Sequence, residues 1–314
     1  MIFILALALA QFPEASITNG RISAKLYLPD MNAGYYRATR FDWSGVIASL
    51  ECNGHNYFGQ WFEKYDPKLH DAISGPVEEF LTDGKGLGYD EAKPGENFVK
   101  IGVGAIRKPN EDSFHQFNTY EIADNGKWTM RKGSDWIEFT QVLGDTNGYA
   151  YVYRKKLRLI GDKLVLEHHL KNTGRKAIAS IVYEHNFYML DGTPTGPDIV
   201  LRFPFPLHAT RALNGLAETH DREFRYVQEL KSGETVFTDL EGYGPTAKDY
   251  DFHIENRKTG AGVRQTSDSP IARIVLWSIR SNVSPEAYID LKMAPGTELS
   301  WKIAYEFYTL PKGN

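Results

Sequence analysis

The chain has 314 residues, a formal net charge of −4 and a pI near 6.2, with lysines and arginines scattered along it. That distribution excludes a basic groove for nucleic acid and a polybasic membrane patch, and a neutral small molecule is the better-fitting partner. The hydrophobic share of 42% and charged share of 24% are those of a soluble globular protein, and one cysteine, Cys52, rules out an intrachain disulfide and a cysteine metal cluster.

Residues 1–10, MIFILALALA, are uniformly apolar and close on an Ala-Leu-Ala pattern of the kind signal peptidases cut. They read as an export leader without the usual basic start, which implies a secreted or periplasmic protein. The run is too short to span a bilayer, which needs about 20 apolar residues, so the mature chain is expected to carry no membrane span.

Residues 17–28, ITNGRISAKLYL, alternate apolar and polar side chains around Asn19-Gly20 and predict a β-hairpin. In YYRATRFDWSGVIASLECNG, residues 35–54, Arg37, Arg40, Asp42 and Trp43 crowd before an apolar run. An arginine offers a planar fork to carboxylates or hydroxyls and tryptophan a flat apolar face to a sugar ring, so these are candidate recognition residues. An Arg/Asp ion pair beside a half-buried Trp is the structural alternative. Residues 60–104 lose the alternation and read as a long surface excursion. His70, Asp71, Glu78 and Glu79 lie there without a recognisable ligand spacing, and no metal is assigned.

From residue 98 onward strand follows strand: 98–107, 119–122, 128–131, 136–143, 149–160 and 163–170, then 198–203, 226–229, 235–239, 252–256, 261–266, 271–277, 288–293 and 298–307. In the last of these Leu299, Trp301, Ile303, Tyr305 and Phe307 share one face. By the same alternation His168 and His169 are strand-face residues rather than catalysts. No window has helical periodicity, and regular turns between strands indicate a sandwich or barrel. With no repeat, linker or low-complexity segment, residues 11–314 are expected to form one large β domain. Within it, IVYEHNFYMLDG, residues 181–192, ends an apolar run in Glu184, His185 and Asn186. A histidine fixed at a strand end exchanges protons near neutrality, and the structural alternative, the commoner use of a lone histidine, is a side chain that only hydrogen-bonds.

Three segments then carry a likeness. LVLEHHLKNTGRKAIASIVYEHNFYMLDG, DYDFHIENRKTGAGVRQTSDSP and APGTELSWKIAYEF follow in an order and spacing that resemble the aldose 1-epimerase (galactose mutarotase-like) superfamily. The resemblance covers residues 149–307 and implies an all-β fold, a large antiparallel β-supersandwich with carbohydrate bound on a concave face. It places the general-acid histidine at His185, the general-base glutamate at Glu286 and a substrate-holding aspartate at Asp249, with Asp251 competing for that role. The acid and base are expected on opposite sides of the sugar, exchanging protons with the ring oxygen and the anomeric hydroxyl. Neither cofactor nor metal is required. The family's second histidine, from a Leu-His-Gly-Gly type segment, has no counterpart in ISGPVEEF or KIGVGAIRK, and His70 and His115 match no motif. Substrate contacts would then fall to Glu78, Glu79, Arg107 or the Arg37/Arg40 pair, the last suited to a carboxylated sugar. Three readings stay open: an aldose-1-epimerase-like enzyme, a carbohydrate-binding protein without catalysis, and a polysaccharide lyase-like enzyme acting on uronate-containing glycans through a Tyr, His and Arg set.

Overall fold

A computed structural model describes residues 12–311, so the export leader expected at residues 1–10 lies outside the described residues. Strand structure dominates, and among the described residues the helical elements are two single 3-10 turns, Leu190–Gly192 and Ala247–Asp249. No helix among them is long and apolar enough to cross a membrane.

The Asn19-Gly20 signal does form a hairpin, joining Glu14–Thr18 to Ile22–Tyr27. Asn19 Oδ1 accepts the Arg21 and Ile22 amides, and Gly20 sits at φ +85°, where a side chain would be strained. This hairpin opens a four-stranded sheet completed by Val46–Cys52 and His55–Phe58. A ten-stranded antiparallel sheet carries the meander Lys127–Lys132, Trp136–Thr146, Tyr149–Ile160 and Lys163–Asn172, which pairs with the closing strand Glu298–Thr309. Trp301, Ile303, Tyr305 and Phe307 are all buried, as their alternation requires.

Facing it is a six-stranded antiparallel sheet in the order His208–Ala209, Thr235–Glu241, Arg273–Ile279, Asn282–Met293, Ile178–His185 and Val77–Leu81. One continuous apolar core fills the space between the sheets, bringing Leu166, Trp301 and Ile303 of the larger against Val182, Ile289 and Leu276 of the smaller. The large antiparallel sandwich is therefore the architecture that the alternation predicts.

Residues 60–104 depart from expectation. The stretch read as a surface loop contains Val77–Leu81, every residue of which is buried, whereas Asn97–Lys100 and Gly104–Arg107 fall on the strand expected over 98–107, folded into an antiparallel pair. Two consecutive glutamates masked Val77–Leu81. Their charges are answered by cations from distant parts of the chain, a compensation invisible in local sequence.

Candidate functional site

Alternation along Ile178–His185 separates two chemistries. Val182 and Glu184 point into the sandwich, whereas Ile181, Tyr183 and His185 point to the opposite face, which lines a cleft of about 410 Å³. Cross-strand register then builds rows on that face. Arg273 pairs with Tyr288, Tyr288 with Tyr183, and Tyr183 with Glu79, giving one row across four strands. Val275 pairs with Glu286 in the adjoining row, whose next position brings Glu286 Oε1 to 3.2 Å from His185 Nε2. Strands about 4.8 Å apart and residues alternating in facing place these side chains side by side without any loop.

The His185 ring is fixed on every side. Phe187 stacks on it at 3.7 Å between centroids, while Phe41 and Trp277 meet it edge-on at 5.6 and 5.2 Å. Nδ1 lies 3.0 Å from Ser284 Oγ, which also accepts the Asn186 amide at 2.9 Å. Asn186 in turn donates to the Pro285 carbonyl and accepts from Tyr305, tying the strand end to its neighbours. Phe187 adopts φ +47°, a conformation uncommon for a bulky residue and held here by its stacking on both His185 and Trp61.

Burial sets the protonation of the pair. It pushes Glu286 up to about 8, with Arg40 opposing. Desolvation, with a further push from Arg40, holds His185 well below the usual histidine range. Near neutrality the pair is thus a protonated carboxyl beside a neutral imidazole, a proton donor and a proton acceptor within contact of each other.

Arg40 closes one end of the cleft. Its Nε donates to Glu79 Oε2 at 3.0 Å and its Nη2 to the Tyr183 hydroxyl at 3.3 Å, and its guanidinium lies over Phe41 and Phe117 at 4.4 and 5.1 Å. Glu79 is fully buried and also receives Lys100, Gln116 and the Tyr183 hydroxyl. Burial alone would raise the Glu79 carboxyl, but Lys100 and Arg40 outweigh it and hold it below the usual range. Arg273 closes the other end, its Nε on Asp239 Oδ1 at 2.6 Å and its guanidinium over the Tyr288 ring. Phe117 and Phe237 are exposed at the lip.

Of the residues singled out by sequence, His185, Glu286 and Arg40 meet in this cleft. The expected opposite placement of acid and base is replaced by side-by-side contact, because the two residues occupy neighbouring positions of paired strands. Glu79 holds Arg40 from behind, and its two oxygens are already taken by protein donors. Trp43 is not a sugar platform: it is 1% exposed, inside an aromatic core, with its indole N–H on the Ala38 carbonyl. Arg37 and Arg107 line other hollows, Arg37 donating to the Asn32 carbonyl and Arg107 paired with Glu121. Asp249 sits in its 3-10 turn beside Thr246, away from the cleft, and its competitor Asp251 is engaged by Arg264. Tyr183, Tyr288, Ser284, Trp277 and Arg273 were missed. For Ser284, Glu286 and Tyr288 the signal was present: they are alternate residues of one strand, so a functional Glu286 implies its two neighbours on the same face.

The acidic and histidine residues suspected as ligands do not converge either. Glu78 and Glu79 point to opposite faces of their strand. On the inner face Glu78 bonds Lys155 and His168, the latter at 2.5 Å, with Glu184 3.7 Å from His168 and Asp42 at 4.0 Å from Lys155. His168 is therefore a buried strand-face residue, as its alternation indicates. The three ligand-type residues Glu78, His168 and Glu184 lie within 4.8 Å of one another, but the Lys155 ammonium already supplies the cation there. Burial keeps Glu184 well above the usual carboxylate range, and the neighbouring Glu78 charge adds to this.

No family model matches the sequence, and no curated protein matches it by sequence. Solved structures do match its fold. A galactose mutarotase-like protein from Clostridium acetobutylicum superposes at TM-score 0.59 with 11% identity over 95% of both chains. One from Lactobacillus casei does so at 0.56 and 11%, over 94% of this chain and 100% of its own. An aldose epimerase homologue from C. elegans reaches 0.56 and 14%, over 96% and 99%. The fold is that of the galactose mutarotase-like and aldose 1-epimerase proteins.

Proposed function

We infer that this chain binds a sugar in the cleft and interconverts its anomers, with Glu286 as the base and His185 as the acid. The observation that supports this most is the 3.2 Å contact between His185 Nε2 and Glu286 Oε1 at the floor of a cleft walled by aromatic rings. The ring oxygen and the anomeric hydroxyl of a cyclic sugar are bonded to the same carbon, so two adjacent groups reach both from one side. When the Glu286 proton has passed to His185 Nε2 across their contact, the carboxylate takes the proton of the anomeric hydroxyl while the imidazolium gives its Nε2 proton to the ring oxygen. The C1–O5 bond breaks and the new aldehyde rotates about C1–C2. Return of both protons along the same paths closes the ring on the other face. Trp277 and the exposed rings of Phe117 and Phe237 offer aromatic surface for the apolar side of the sugar.

A uronate-cleaving reading would need Tyr183 as a base. Its hydroxyl donates to Glu79 at 2.6 Å, and burial raises its pKa well above the ordinary value, which disfavours that role. The test is anomer exchange of freshly dissolved aldoses followed by polarimetry or exchange NMR. Glu286→Gln and His185→Ala are each expected to slow the catalysed rate by about 10²–10⁴. Equal exchange by wild type, both variants and buffer would remove the catalytic reading, and retained sugar binding without exchange would leave a carbohydrate-binding protein.

A further inference from the structure

The two arginines at the ends of the tyrosine row form a second pattern in the cleft. Arg40 and Arg273 flank Tyr183 and Tyr288, and both guanidiniums border the space above Glu286. Each is oriented by a carboxylate that it shares with another cation. Glu79 serves Arg40 and Lys100, and Asp239 serves Arg273 and Arg211. Each carboxylate carries one negative charge against two basic side chains, so neither cleft arginine is fully neutralised by its anchor. Only one N–H of Arg273 and two of Arg40 find protein acceptors among the described residues, and a guanidinium has five to give. Asp71, beside His70, and Glu286 are the cleft's own carboxyls. Glu286 is engaged with His185 and Tyr288, which leaves Asp71 as the one lining carboxylate outside that pair.

We propose that the substrate is an anionic aldose, carrying a carboxylate or phosphate group that docks between Arg40 and Arg273 while its anomeric centre meets Glu286 and His185. This rests on the sugar-binding part of the function proposed above and adds the substrate class. Guanidinium forks match both anions by paired, charge-assisted hydrogen bonds. Proximity to opposite charges and partial exclusion of water make that contact selective against a neutral hydroxyl.

Binding of glucose, glucuronate and glucose 6-phosphate, measured by calorimetry on the full chain, tests the idea. One of the charged sugars is expected to bind at least about tenfold more tightly than glucose, a difference of about 1.4 kcal/mol. Which one does so distinguishes a carboxylate from a phosphate substrate. That preference should fall toward unity in Arg273→Gln, survive in part in Arg273→Lys, and be unchanged in Arg107→Gln, which alters net charge equally but far from the cleft. Equal binding of all three sugars, or a preference that persists in Arg273→Gln, overturns the inference. Anomer exchange is recorded on the same samples. A charge preference without exchange removes the catalytic reading alone, exchange without charge preference removes this inference alone, and binding of none of the sugars removes both.

Discussion

Glu286 and His185 titrate in opposite senses, and their contact makes the protein's behaviour depend on pH from both sides. Glu286 has a folded-state value of about 8 against an ordinary 4.5. Its favourable contribution is complete below 4.5 and is lost as pH rises through 8, where the native state must charge a buried carboxyl. His185 is depressed in the fold, so its contribution is present above 6.5 and is lost as pH falls. Wild type is therefore expected to be most stable between these limits. Glu286→Gln should raise Tm relative to wild type at pH 9 and change it little at pH 4, as differential scanning calorimetry would record. Catalysis should follow the singly protonated pair: kcat/KM for anomer exchange falls as pH rises through about 8, where the pair loses its one proton. A profile flat from pH 6 to 9 contradicts the assignment of Glu286 as base. His185 was legible in the sequence because an apolar run ended on it. Trp43 shows the opposite case, since an aromatic amid arginines looks the same whether it faces a sugar or a core. Only the Ala38 carbonyl, supplied by the fold, decides.

At the scale of elements, the strand Val77–Leu81 carries the most weight for its length. It brings Glu79 to the cleft wall and Glu78 to the inner cluster, and its approach depends on Gly75. A Cβ at Gly75 would lie 2.6 Å from the His185 carbonyl oxygen and as close to the Asn186 backbone, with no flexible side chain to give way. Gly75→Ala is expected to displace the end of Ile178–His185, lowering anomer exchange by an order of magnitude or more with a smaller change in sugar affinity. A kcat/KM within twofold of wild type would contradict this. Glu79→Gln probes the same strand. With Arg40 and Lys100 left without their shared carboxylate, the fold should lose about 3–5 kcal/mol, readable in urea unfolding. Most strands of the second half were legible because their inward and outward faces differ in polarity. Val77–Leu81 was not, because both faces bear charge or bulk, and its period-two signal disappears when Glu78 is as buried as Phe80.

Across the whole molecule, one apolar core runs from Ile17 near the start to Phe307 near the end and joins both large sheets. This continuity ties the two large sheets to each other, beside a separate aromatic cluster that holds Trp43. Equilibrium denaturation is expected to be a single transition, coincident by far-UV circular dichroism and by tryptophan fluorescence. Two separated transitions would indicate more than one cooperative unit. The alternation of the closing strand reveals the sandwich but not which sheet face becomes the cleft. That choice follows from long-range partners: Arg40 reaches Glu79 and Arg273 reaches Asp239, contacts 39 and 34 residues apart in sequence.

The opposed facing of Glu184 and His185, and of Glu78 and Glu79, also bears on how the sheet finds its alignment. A slip of one residue by Val77–Leu81 against Ile178–His185 would turn Glu79 inward and send Glu78 to the cleft, while His185 and Glu184 kept their facing. Glu78 would leave Lys155 and His168, Glu79 would leave Arg40 and Lys100, and each abandoned cation would remain enclosed. The same charges that equip the cleft thus act as a key during folding, penalising every odd-numbered misalignment of the strands on which the site depends.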